Sequence, residues 1–241
     1  NTGAFNLSGG TLNLGGNLAT PVLGSFTRTG GLVNITGILN NSGQTLDIDD
    51  GGVFGTGGLN NVSGTITGGT IISGNGKALT AVSSPTLTGV TLGNTAKPNL
   101  TINGGVTISN GITLADGANI TKDAGIWYWN TTGAQTLGVA GGGTATLNSA
   151  GGYHYAGYGV TGQTLTFAAG LTQQGNLSVY DSSAANVVNL GTLRQSTAST
   201  TTTIQVTNFS NGTGGVLATT DGTLTLNFGY VTGDIGLLDD D

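Results

Sequence analysis

The residues that could do chemistry are few and scattered. Asp47-Ile48-Asp49-Asp50-Gly51 is the densest acidic group. In an extended segment alternate side chains share a face, so Asp47 and Asp49 point one way while Asp50 sits at the turn. Hard oxygen donors so placed suit Ca²⁺. The spacing matches neither an EF-hand loop nor the nonapeptide calcium repeat, and a solvated corner accounts for the same residues. Asp239-Asp240-Asp241 raises the same two readings, a cation site or a frayed end. His154 is the only histidine. With no cysteine in the chain and no carboxylate close to it in sequence, it reads as a packing or surface residue rather than a ligand or base. Ser83-Ser84 lack the context of a nucleophile elbow, and the glycine runs at 141–143 and 214–215 lack the lysine and helix of a phosphate loop.

Aromatic side chains offer a second kind of chemistry. Both tryptophans and four of the six tyrosines fall within residues 127–158. In Ile126-Trp127-Tyr128-Trp129 the alternation places Trp127 and Trp129 on one face, and one of the two pairs must face out. Outward rings in an uncharged setting stack on sugars or on another subunit, which makes Trp127, Trp129, Tyr153 and Tyr155 a candidate glycan or surface contact. The alternative is a local widening of the core that encloses the tryptophans.

Short strands must position these residues. Thr11-Leu12-Asn13-Leu14 is bounded by glycines on both sides; Val106-Thr107-Ile108, Ile112-Thr113-Leu114 and Leu224-Thr225-Leu226 follow the same rule of apolar pairs around one polar residue. Period 2 is strand geometry. In the middle of the chain such segments start every few residues, from Thr65–Thr67 and Thr70–Ile72 to Leu100–Ile102 and Asn119–Thr121. Strands this short bury nothing alone but do so when stacked on copies of themselves. Three faces make a coil of roughly 20 residues. Some ~12 coils at ~4.8 Å would give a rod of ~55–60 Å. The expected fold is all-β: a single right-handed parallel β-helix over residues 1–241, with an aromatic-rich irregular zone at about 123–160. Corners such as Gly89 and Asn110-Gly111 supply the unusual backbone conformations that sharp bends need. Outward Thr and Asn should form ladders along the rod.

Composition narrows the function. Of 241 residues 47 are Gly, while Lys+Arg number 5 and Asp+Glu 11, for a net charge of −6. A chain this poor in cations neither neutralises nucleic-acid phosphates nor seeks an anionic lipid surface. Its strands are shorter than the ~9–11 residues of a membrane barrel, and no apolar run spans a bilayer. Cysteine is absent, so thiol chemistry and disulfides are excluded. The first residue is Asn rather than Met, which reads as a mature or excised piece of a longer precursor.

The stretch Ser63-Gly64-Thr65-Ile66-Thr67-Gly68-Gly69-Thr70-Ile71, then Leu87-Thr88-Gly89-Val90-Thr91-Leu92 and Leu100-Thr101-Ile102-Asn103-Gly104-Gly105-Val106, resembles the long repeats of bacterial giant surface proteins. These are the filamentous-haemagglutinin-like and autotransporter-like adhesins. Residues 24–37 and 133–138 resemble further units. The resemblance implies secretion to the bacterial surface or beyond, and a role in adhesion or in an extracellular fibre, sheath or matrix. Self-association is the expected mechanism, as tandem repeats or as a head-to-tail homopolymer. Solenoid ends expose unpaired backbone groups, and no capping helix is evident. The N-terminal residues Phe5, Leu7, Leu12 and Leu14 would meet Leu224, Leu226, Phe228 and Tyr230 of the next copy. An adhesive glycan- or surface-binding module is the alternative. A polysaccharide-acting β-helix enzyme comes third, because such enzymes need an acid/base pair or a calcium–arginine site, Glu is absent, and Arg28 and Arg194 lie far apart. No cofactor is expected beyond the weak Ca²⁺ candidate.

Overall fold

The structure is a computed structural model that describes residues 4–233 and the backbone of the strand Leu237–Asp239. Asp240 and Asp241 lie outside the described residues, so the acidic tail is not placed.

Parallel strands stack in about 10 turns about 22 residues apart, and the fold is a β-solenoid. One face is a ladder that runs from Asn17–Ala19 through Ile38–Asn40, Thr65–Thr67, 86–88, 106–108, Trp127–Trp129, Tyr153–Ala156 and Ser178–Asp181 to the middle of the two long C-terminal strands. A second face runs from Thr45–Asp47 through Thr70–Ile72, 90–92, 112–114, Gly133–Val139 and Gln163–Phe167 to Asn186–Asn189 and beyond. A third joins Leu79–Thr80, Asn99–Asn103, Asn119–Lys122, Ala145–Ser149 and Leu171–Gly175 to 192–195 and 216–219. At the N-terminal end Thr11–Leu14, Leu32–Ile35 and Asn61–Val62 form a shorter ladder, and Ala4–Leu7 pairs with Ser25–Arg28.

In-register parallel pairing makes each position a column. Ile66, Leu87, Ile108 and Trp129 stack inward, and all are 0% exposed. Each side chain is covered by the rung before and the rung after, so full burial of every Ile or Leu contributes about 1.5–3 kcal/mol. Outward columns carry the polar ladders. Asn34 donates to Asn13 Oδ1 at 2.9 Å and accepts from Asn61 Nδ2 at 3.2 Å. Gln174 donates to Asn148 Oδ1 at 2.8 Å, and Asn148 donates to Asn119.

The corner between the first two faces is as tight as the sequence suggests. Gly89, at φ 56°, separates 86–88 from 90–92, and the rung above meets it with Asn110 and Gly111, at φ 58° and 76°. The turns number about 10 rather than 12 because some coils carry excursions. Leu87 lies next to Ile108, but Leu39 lies next to Ile66, and the longer step holds the loop 49–60. Phe54 in that loop is fully buried, edge-on to Phe26 at 5.7 Å, and Phe26 stacks on Phe5 at 4.9 Å. Arg28 ties the loop down by donating to the carbonyls of Gly31 and Gly58 and to Asn60 Oδ1.

The stretch 123–160 is not irregular. Trp127–Trp129, Gly133–Val139, Ala145–Ser149 and Tyr153–Ala156 continue the ladders without a break, and only the connecting loops lengthen. Large rings hide the period in composition but obey it in space.

Candidate functional site

The inward columns change at the two ends of the rod. Phe5, Leu7, Leu12 and Leu18 are half-buried, whereas the residues above them, Phe26, Arg28, Val33 and Leu39, are buried. Leu14 remains buried at 7% exposure. At the other end Leu224, Leu226 and Phe228 are half-buried over buried Thr202, Ile204 and Val206. The cause is geometric: a terminal rung is covered on one side only. Among the described residues the strands Ala4–Leu7, Thr11–Leu14 and Asn17–Ala19 pair on one edge, as do 223–228 and 230–233. Tyr230 departs from the expectation for this end. It follows Asn208 in an outward column and is 66% exposed, while Val231 continues the inward column of Val187 and Phe209. Val231, not Tyr230, belongs with the end face.

The aromatic zone divides between inside and outside. Trp127 and Trp129 are both 0% exposed, so the expectation that they present an outer contact surface is overturned. They occupy inward columns next to Val106 and Ile108, where period 2 places them. Tyr128 between them faces out, and the register stacks Tyr128, Tyr155 and Tyr180 on three successive rungs. Tyr153 and Tyr158 join them. Ring centroids lie at 4.4 Å for Tyr128–Tyr158, 5.6 Å for Tyr155–Tyr158 and 4.9 Å for Tyr153–Tyr180. Five of the six tyrosines thus form one outer patch. Beside it runs an open groove of about 580 Å³, walled by Tyr153, Tyr155, Tyr180, Asn176, Asp181 and Gln205. Neither Lys nor Arg lines it. Burial, together with the neighbouring phenols, raises the Tyr153 pKa, so its hydroxyl keeps its proton. Tyr128 and Tyr158 lie within the expected aromatic zone and Tyr180 beyond it, and none of the three was among the expected contact residues. The intervals from Tyr128 to Tyr155 and on to Tyr180 are each about one coil, and that was the available signal.

Beneath the patch lies a buried polar node. His154 is 0% exposed. Trp129 Nε1–H donates to its Nδ1 at 3.1 Å, which leaves Nε2–H to donate to Gln173 Oε1 at 2.8 Å. Trp127 and Phe167 pack against the ring at 5.4 Å each. Burial, assisted by the charge of Lys122, pushes the imidazole pKa down to about 3 and outweighs the bond to Gln173. Lys122 is itself buried; its ammonium donates to the carbonyls of Gly151 and Asp123, and desolvation lowers its pKa to about 8 against the pull of Asp123. The node packs and orients; the imidazole has no route to solvent.

The acidic group already holds a cation. Lys97, far away in sequence, places its ammonium on Asp47 Oδ2 and on Asp49 Oδ2, the latter at 2.9 Å. Asp49 also accepts from the N–H groups of Gly51 and Gly74, while Asp50 turns away to accept from Gly57. Burial disfavours the Asp49 carboxylate, but the Lys97 ammonium and the Gly74 and Gly51 N–H groups prevail and hold its pKa at about 2. A lysine stands where the Ca²⁺ reading of Asp47, Asp49 and Asp50 would put the cation. Among the described residues no group of three or more His, Cys, Asp or Glu is arranged to hold a metal.

Set against known proteins, the chain is matched by no family model, no curated protein and no solved structure.

Proposed function

We propose that this chain is a structural solenoid unit of an extracellular bacterial fibre, sheath, matrix or giant surface adhesin, continued at its ends by further rungs of the same kind. The carrying observation is the pair of half-buried inward columns, Phe5, Leu7, Leu12 and Leu18 at one end and Leu224, Leu226 and Phe228 at the other. A further parallel rung would bury those side chains and pair the strand edges of 4–19 and 223–233 that have no partner among the described residues. Top and bottom surfaces differ, so the association is heterologous and does not close; it extends into a filament. Low charge supports the same reading, since few like charges guard the edges. The resemblance to filamentous-haemagglutinin-like and autotransporter-like repeats supplies the extracellular setting. The reading is non-catalytic: Asp47 and Asp49 are engaged by Lys97, and His154 is sealed in the core.

The test is sedimentation velocity with negative-stain microscopy on the purified chain. Filaments with an axial repeat of about 50 Å, the height of about 10 rungs, are expected. Leu12→Asp or Leu226→Asp should return the protein to monomer while the strand signature in circular dichroism stays intact. A wild-type chain that stays monomeric at all concentrations, or filaments indifferent to both substitutions, would refute end-to-end continuation.

A further inference from the structure

The geometry points to a second, lateral site: the tyrosine patch and its groove bind a neutral, extended oligosaccharide along the rod axis. The site is independent of the end rungs, since its rings sit on the outer surface of interior coils. Tyr128, Tyr155 and Tyr180 recur once per rung, at about 4.8 Å, and Tyr153 and Tyr158 widen that column. Pyranose rings have apolar C–H faces that lie on aromatic planes and hydroxyl rims that need hydrogen-bond partners. The patch supplies the first and the groove wall the second, through Asn176, Gln205 and Asp181.

Two details choose this occupant. Asp181 stands in the groove wall beside Asn176 and Gln205, where its carboxylate can accept from sugar hydroxyls. The groove has one carboxylate and no cation, which disfavours phosphate, sulfate and uronate ligands and leaves neutral polyols. An apolar partner surface would leave the amides and the carboxylate without donors. The tyrosines also lose little freedom on binding, since they already brace one another at 4.4 to 5.9 Å.

Isothermal titration of the full chain with cellohexaose, xylohexaose and laminarihexaose, with hexagalacturonate as the anionic comparison, tests the assignment. Binding of at least one neutral hexasaccharide is expected, with hexagalacturonate inert. Tyr155→Ala and Tyr180→Ala should each weaken it about tenfold. Tyr180→Phe, which keeps the ring, should retain most of the affinity, and Tyr230→Ala, outside the patch, should change nothing. Tyr158→Ala provides a second reading at a 46%-exposed position whose truncation spares the core. Circular dichroism melts of each variant establish that the fold survives. Silence from all three neutral sugars overturns the proposal, as does affinity unaltered in both Tyr155→Ala and Tyr180→Ala. Self-association that disappears in Tyr180→Ala without any sugar binding would assign the patch to a second copy of the chain and equally overturn it.

Discussion

Lowering the pH from 7.5 to 5 should destabilise the middle of the rod through one residue. His154 is the only histidine and the chain contains no glutamate, so no other side chain has an ordinary pKa inside that window. The folded imidazole sits at about 3 against 6.5 when unperturbed. A depressed pKa means that the unfolded state takes up the proton first. Its stabilising effect is therefore complete above pH 6.5 and is lost progressively as the pH falls from 6.5 toward 3. Linkage between these values gives a loss of about 2 kcal/mol at pH 5, close to 1.4 kcal/mol per pH unit once below 6.5. The structural cause is explicit. A proton on Nδ1 would face the Trp129 N–H that now donates to it, inside a cage of Trp127, Trp129 and Phe167. Urea titrations followed by tryptophan fluorescence suit the question, because both tryptophans flank His154 and report its own neighbourhood. The urea midpoint should drop steadily between pH 6.5 and 5 in the wild type and stay nearly level in His154→Gln. An NMR titration that finds the folded imidazole protonating near pH 6.5, or an equal slope in His154→Gln, would refute the account.

Two further outcomes follow from single contacts. Lys97→Met leaves Asp47 and Asp49 facing each other without their cation and should cost about 1–2 kcal/mol in urea unfolding at pH 7; the Asp49 carboxyl, now at about 2, should rise toward its ordinary 3.8 in a carbon-detected NMR titration, so that the stability the wild type loses on acidification between those two values should be largely missing from the variant. Gly64→Ala would drive a Cβ into the Gly37 carbonyl of the coil below, just as Gly37 meets Gly16, and should lower stability by about 1–3 kcal/mol; Gly9→Ala, with open space around it, should leave the urea midpoint unchanged.

The glycine-bounded alternation determined the strands, their parallel stacking and which side chains go inward, because period 2 and a one-coil repeat are properties of linear order. Leu46, Ile102, Ile108 and Phe167 are buried where that pattern puts them. The same pattern offered two faces for Trp127 and Trp129, and only packing chose: the interior beside His154 accepts two indoles, and the outer column goes to tyrosines. The sequence also showed three carboxylates at Asp47, Asp49 and Asp50 but not their cation, since Lys97 arrives from a different coil. The tyrosine patch and the His154 node have the same origin. Their members are neighbours because successive rungs stack in register, so the lengths of the loops between them, which local pattern does not encode, decide which side chains meet.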